Sequence, residues 1–306
     1  MSQTVVVIGN FDGVHVGHQA VLRQAVRWAG EDAQAAGLAQ PLPVEVVTFW
    51  PHPLSVVAPA HAPKLLCGLS ERIGRLKAAG ASEVRVVPFT RAVAAWEPET
   101  FVESILQPLN PATVVVGANF RFGRGAVGTP DTLREVGRFD VHAVDLLQMC
   151  KAPVSSTAIR DALAAGDVAA ANAMLGRCFR VRGIVELGDQ RGRTLGFPTA
   201  NVPIDAGLVM PADGVYAGWL HRVGEPGVRL PAAISVGSNP TFAGVARHVE
   251  AYVLDRDDLE LYGVDVVIDF MARLRGMTRF DGVDDLVAQM RRDVTAVRTA
   301  LHLARS

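Results

Sequence analysis

Along the first half of the chain, short β-branched apolar runs alternate with stretches whose apolar residues recur every three or four positions. The runs are Val5-Val6-Val7-Ile8, residues 44–49, residues 84–87 and Thr113-Val114-Val115-Val116. The helical periods fall at about 19–36, at 69–79 and at 99–106, the last opened by Pro98. Strand and helix in alternation predict a doubly wound parallel α/β sheet. An amphipathic helix from Thr157 and a shorter one ending near Leu175-Gly176 close this half. Beyond Cys178 the pattern changes to short β runs at 179–186, 214–220, 232–236, 247–254 and 264–270, separated by Gly and Pro, which read as a small antiparallel barrel. A last helix begins near Val283 with Asp281 as its predicted N-cap. Leu286, Val287, Met290, Val294, Val297 and Leu301 line one face of it as core packing. Two domains are expected, 1–176 and 177–306.

The totals support this and narrow the setting. A chain of 306 residues with 49% apolar content can bury two cores. A net charge of −1 gives no blanket attraction to nucleic acid or to a membrane, so affinity for anions must come from local sites. Three scattered cysteines, Cys67, Cys150 and Cys178, form no Cys-x-x-Cys pair. A reducing, cytoplasmic setting is expected, with no secretory signal and no apolar stretch long enough to span a bilayer. Oligomeric state is not legible.

The richest stretch follows the first strand: Gly9-Asn10-Phe11-Asp12-Gly13-Val14-His15-Val16-Gly17-His18. A loop between a parallel strand and a helix lies at the carboxyl edge of the sheet, where backbone N–H groups at the helix start favour an anion. Gly17 permits close backbone approach between the two histidines, so both imidazoles can converge on one phosphate. A polar loop with incidental histidines would also account for the tetrad alone; the strand before it and the helix after it favour the phosphate site.

Three further segments stand at predicted strand ends or helix starts. In Phe49-Trp50-Pro51-His52-Pro53 the prolines stop the ladder and leave aromatics at the sheet edge, either to stack on a planar ligand or to cover the core; His52 reads as structural. Gly117-Ala118-Asn119-Phe120-Arg121-Phe122-Gly123 offers an amide and ring faces. Gly123-Arg124-Gly125-Ala126-Val127-Gly128 matches Gly-x-Gly-x-x-Gly, but it is displaced from its strand and is read as a mobile glycine loop closed by Thr129-Pro130 rather than as a dinucleotide site. Ser155-Ser156-Thr157 with Arg160 supplies more than an N-cap needs: three hydroxyls and a guanidinium at one helix start, a phosphate grip.

In the second half, residues 188–201 concentrate special residues. Gly192 and Arg193 suit a phosphate wrap without Walker spacing, and Thr199 and Asn201 place two hard oxygens on one face of an extended segment, the kind of ligand that holds Mg²⁺. Glu250 on a predicted strand is by itself a solvated surface residue.

These blocks resemble, in order, two known families. The His-x-Gly-His stretch, the Phe-x-Pro-His-Pro block and the Ser-Ser-Thr-x-x-Arg motif are similar to those of prokaryotic bifunctional FAD synthetases, a branch of the HIGH-type nucleotidylyltransferases. Gly192-Arg193-Thr194-Leu195-Gly196-Phe197-Pro198-Thr199-Ala200-Asn201 resembles the riboflavin kinase signature. The resemblance implies phosphorylation of riboflavin to FMN by ATP, then adenylylation of FMN to FAD, with Mg²⁺ at both sites. It implies Glu250 as the kinase base and His15 and His18 as the catalytic pair of the adenylyltransferase. It further implies Gly9, Phe11, Gly17, Asn119, Ser155, Ser156, Thr157, Arg160, Gly192 and Arg193 around nucleotide, Phe49, Pro51, Phe120 and Arg275 around flavin, and Thr199 and Asn201 at the metal. Thr129, Arg256 and Thr278 depart from the family pattern. The rival readings are a pantetheine-phosphate adenylyltransferase, against which the second half argues, and a flavin-binding or regulatory paralogue that has lost turnover.

Overall fold

The computed structural model describes residues 3–149, 152–188, 192, 195–225, 227–241 and 244–303. The chain divides into two compact units, Met1–Ser156 and Thr157–Ser306.

The first unit is built on five parallel strands, β1 (Thr4–Ile8), β2 (Val44–Trp50), β3 (Glu83–Pro88), β4 (Pro111–Gly117) and β5 (Asp140–Val144), in the order β3-β2-β1-β4-β5. The chain winds outward on one side of β1 and then on the other, the doubly wound topology expected. Val5 and Val7 point into one apolar layer with Leu22, Ala25 and Ala29 of helix α1 (Val16–Ala35). Val6 and Ile8 point into the opposite layer with Val114, Phe101 and Leu106. That is why β1 is apolar without alternation. Short helices α2 (Pro53–Val57), α4 (Arg91–Ala94), α5 (Pro98–Phe101) and α6 (Pro130–Val136) fill the connections, together with α3 (Leu69–Ala78), and a π turn at Val102–Leu106 extends α5. A small hairpin, β6 (Gln148–Met149) with β7 (Ala152–Pro153), ends the unit.

Helices α7 (Ser156–Ala165) and α8 (Val168–Leu175) lead into the second unit, and Gly176 ends α8 in the left-handed conformation, φ 68°. The sequence places the change of pattern at Arg177, yet this helix pair is bound to the barrel. Asn172 Nδ2 donates to the Phe270 carbonyl at 2.8 Å, and the Ala212 N–H donates to the Leu163 carbonyl at 2.8 Å.

The barrel is a six-stranded antiparallel sheet of β8 (Phe179–Ile184), β9 (Thr199–Pro203), β10 (Gly214–Arg222), β11 (Leu230–Thr241), β12 (Gly244–Val253) and β13 (Asp265–Arg275), in the order β8-β13-β10-β11-β12-β9. It curls until its two edges meet: the Glu186 N–H donates to the Asn201 carbonyl at 2.9 Å, and a Cβ on Gly183 would stand 2.8 Å from the Pro203 carbonyl oxygen. Helix α9 (Val283–Ala300) lays Val294, Val297 and Leu301 against Ala217, Trp219, Ala233 and Tyr252. Its N-cap is Gly282, which makes no side-chain cap, and not Asp281. Asp284 and Asp285 in the first turn face the dipole instead.

Candidate functional site

In the first unit the loop after β1 is held in an uncommon backbone shape. Phe11 and Val14 have φ of 50° and 42°, and Gly13 has 79°. Left-handed conformations cost non-glycine residues about 1–2 kcal/mol each, offset here by burial of both side chains. A Cβ on Gly9 would lie 2.9 Å from the Phe11 ring, so glycine there admits that ring. Asp12 points inward and accepts the Leu66 N–H at 3.0 and 3.2 Å.

Sequence periodicity starts the helix after both histidines; the structure starts it at Val16 because His15 is the N-cap. His15 Nδ1 accepts the His18 N–H at 3.2 Å, which puts His18 in the first turn with its ring stacked on that of His15, centroids 3.6 Å apart at 17°. A Cβ on Gly17 would come within 3.1 Å of the His15 ring, so the stack requires glycine between them. Phe11 closes the other side of His18 edge-on at 5.1 Å. Buried His18 Nδ1 has no hydrogen-bond partner among the described residues. Burial first, then His15 and Arg72, hold the His18 imidazole well below the usual histidine range. A neutral ring with an open nitrogen is poised to hydrogen-bond a phosphate oxygen.

The other first-half candidates differ in their surroundings. Ser156 Oγ donates to the Asp12 carbonyl at 2.9 Å, joining the hydroxyl motif to the histidine loop. Ser155 precedes it, and Thr157 and Arg160 follow on the first turns of α7. Asn119 is exposed on the turn after β4, and Phe120 stacks on Phe122 at 5.7 Å. Phe49, by contrast, is a core ring, packed against Phe89 and Phe101 at 5.7 and 6.2 Å, while Pro51 is exposed. His52 is structural, capping α2 by accepting the Leu54 N–H. The glycine loop does not hang free: Phe122 and Gly128 exchange two N–H···O bonds at its neck, and the Arg124 N–H donates to the Trp96 carbonyl at 2.7 Å. No helix starts on Gly128; α6 begins at Pro130 under a Thr129–Thr132 capping box.

In the second unit Thr199 and Asn201 point the same way from β9, with Ala200 and Val202 buried behind them. Opposite them on β12 stand Tyr252 and Glu250. The register continues across the sheet as one row, Asn201, Glu250, Ser235, Val215 and Arg275. Asn201 Oδ1 is buried with no hydrogen-bond partner among the described residues. Glu250 lies 3.4 Å from His248 Nε2 and is otherwise accessible. Gly192 makes the turn that precedes β9: its carbonyl accepts the N–H groups of Leu195 and Phe197, and a Cβ would collide with the Phe197 carbonyl oxygen at 2.4 Å. Arg193, Asp189 to Arg191, Thr194, Phe242 and Cys150 lie outside the described residues. The Arg275 guanidinium is engaged by Asp293 of α9 at 2.7 and 2.9 Å.

Sequence reasoning passed over Arg72, the partner beneath Asp12, and Ser235 and His248 beside Glu250. Arg72 sits in an ordinary amphipathic helix, and Ser235 becomes informative only once register is known. No group of three or more His, Cys, Asp or Glu side chains suited to a metal occurs among the described residues.

Comparison with known proteins gives a consistent result. The FAD synthetase family model matches residues 1–158, and the riboflavin kinase model matches residues 175–301. The bifunctional riboflavin kinase/FMN adenylyltransferase of Escherichia coli is 37% identical over 298 residues, covering 96% of this chain and 91% of that protein. Its Bacillus subtilis counterpart is 33% identical, covering 95% and 90%. A crystal structure from Streptococcus pneumoniae, described as a macrolide-efflux protein, is similar with a TM-score of 0.88 at 33% identity, over 97% of this chain and 94% of that one. No helix among the described residues is long and apolar enough to cross a membrane. Two family models in series and relatives matched nearly end to end place this chain in the bifunctional riboflavin kinase/FMN adenylyltransferase family.

Proposed function

We propose the following division of labour for the two reactions of this family, with residues 1–176 adenylylating and residues 177–306 phosphorylating. Riboflavin and ATP give FMN, and FMN and ATP give FAD and pyrophosphate. One observation carries the assignment: each unit holds a buried polar atom without a partner among the described residues beside its motif, His18 Nδ1 in one and Asn201 Oδ1 in the other.

Riboflavin's hydroxyl must lose a proton as it attacks phosphorus, and Glu250 is the carboxylate in the row able to accept it. Thr199 and Asn201 supply hard oxygens on that face and fit Mg²⁺, which when bound neutralises phosphate charge. Gly192 and Arg193 are assigned to ATP, and Arg275 to the flavin end of the row, where its pairing with Asp293 anchors the chain after β13.

FMN brings an already ionised phosphate, so the first unit needs no base. It has to align two anions and relieve their charge. His15 and His18 take this role with Gly9, Phe11, Gly17, Asn119, Ser155, Ser156, Thr157 and Arg160 around the nucleotide. Phe120 and Pro51 are assigned to the ring system, with Phe49 supporting them from the core. ATP as co-substrate and the unpaired Cys67 and Cys178 support a cytoplasmic setting.

The test is chromatography of flavins after incubation with riboflavin, ATP and Mg²⁺, beside a second tube started from FMN. FMN followed by FAD is expected. Bound flavin without either product would favour the binding-protein reading.

A further inference from the structure

Among the described residues Arg72 is the largest fully buried side chain, 0% exposed, and it is incompletely paired. It projects from the first turn of α3 under the carboxyl edge of the sheet. Nη1 donates to the Phe49 carbonyl at 3.3 Å, Nη2 stands 3.8 Å from Asp12 Oδ1, and the guanidinium lies over the Trp50 ring at 5.6 Å. Nε and Nη2 have no hydrogen-bond partner among the described residues. A buried guanidinium left short of partners is costly in a stable core, and groups of this kind persist where a site uses them. Arg72 has that location. Asp12, its counter-charge, is held from the front by Leu66 and passes its own carbonyl to Ser156. The contacts therefore run from Arg72 through Asp12 to the hydroxyl motif, along the left-handed loop that leads to the two imidazoles.

We infer that Arg72 is a positioning residue of the adenylylation site: acting through Asp12 it fixes the 10–14 loop, and it supplies a permanent positive charge beneath the two stacked histidines. The inference rests on the proposed role of His15 and His18. The imidazoles can hydrogen-bond a polyphosphate, and a buried guanidinium adds attraction through a low-dielectric medium without being spent on the ligand itself. After burial and His15, the Arg72 charge is a further cause of the lowered His18 titration.

The test uses the full chain, with FMN adenylylation as the assay and riboflavin phosphorylation, carried by the other unit, as the control for a folded molecule. Arg72→Met should lower kcat/KM for adenylylation by about tenfold or more, the scale of one charge-assisted contact. Its loss should not add to that of Asp12→Asn in the double variant, because both act through one contact. In ¹⁵N-histidine NMR, Arg72→Met should raise the pH at which His18 titrates. Arg72→Lys, which keeps the charge and provides a variant closer to native packing should the methionine not fold, should leave the His18 titration low and recover part of the rate. Unchanged kcat/KM, full additivity with Asp12→Asn, or an unmoved His18 titration in the methionine variant would each overturn the inference. A lysine variant whose His18 titration rises would do so as well. If His18→Ala itself leaves adenylylation intact, the histidine assignment fails, and that result is separable from the Arg72 result.

Discussion

Asn201 and Glu250 are directly paired across the β9–β12 ladder, so the amide and the carboxylate leave the sheet side by side on one face. They lie 49 positions apart in sequence, and a one-residue slip of either strand would send one of them to the opposite face. Buried Ala200 and Val202 on β9, matched by buried Val249 and Ala251 on β12, fix that register.

Glu250→Gln keeps shape and hydrogen bonding and removes the base. Riboflavin phosphorylation should fall by about 10²–10⁴-fold, the usual contribution of general-base catalysis. Conversion of added FMN to FAD should stay near normal, because the exchange occurs on the second unit. Parallel rate measurements from riboflavin and from FMN decide it; loss of both in a folded protein would refute two independent centres.

His18→Ala should give the reverse pattern. Removing one hydrogen-bond donor to a charge-bearing transition state costs about 10²–10³ in kcat, so adenylylation should fall by that factor while FMN formation persists. Gly17→Ala tests the same geometry indirectly, since a methyl group 3.1 Å from the His15 ring must disturb the stack.

His18 also ties stability to pH. Its folded-state titration lies well below the ordinary value of 6.5 because burial, His15 and Arg72 disfavour the charged ring. Between that lowered value and 6.5 the unfolded chain binds the proton and the folded one does not. His18's contribution to stability is therefore full above about pH 6.5 and is lost as pH falls toward the folded-state value. Denaturant midpoints at pH 7.5 and 5.5 should differ less in His18→Gln than in the native chain.

How much of this the sequence discloses depends on where each signal lies. β1, β2 and β4 are apolar enough to read directly. β5, Asp140-Val141-His142-Ala143-Val144, is a polar edge strand and leaves no such mark. The His-x-Gly-His stretch identifies itself by residue type, but the role of His15 as a cap with its Nδ1 occupied depends on a bond formed only after folding. Phe49 reads equally as rim or core until the loop after β3 supplies Phe89 and α5 supplies Phe101. Arg72 and Ser235 stayed hidden for a related reason: their importance is a matter of what lies across from them, and a single chain of letters does not record register or burial.

Cys67 should be chemically silent. Burial, reinforced by Asp12 and Glu71, pushes its thiol up to about 11. Thiolate is the reactive form, so maleimide at pH 7.5 should leave Cys67 unlabelled in the native chain and label it in denaturant, read by mass spectrometry.

Arg275 provides the sharpest separation of a structural from a ligand-binding role. Its guanidinium meets the Asp293 carboxylate in a forked pair, and Gln289 Nε2 donates to the same carboxylate at 2.8 Å. Arg275→Met leaves that carboxylate half-satisfied against the barrel. Breaking a buried pair from one side costs about 3–5 kcal/mol; because the Arg275 side chain is 22% exposed, the lower end, about 3 kcal/mol, is expected. Calorimetry should show that loss as a lowered unfolding temperature for the second unit, with α9 detaching first. If Arg275 also meets flavin, KM for riboflavin should rise at temperatures where the variant is still folded. Asp293→Asn, which weakens the pair without removing the guanidinium, should destabilise the unit and leave that KM unchanged. A raised KM in both variants would mean that the flavin end of the row depends on the anchored segment as a whole and not on the arginine itself.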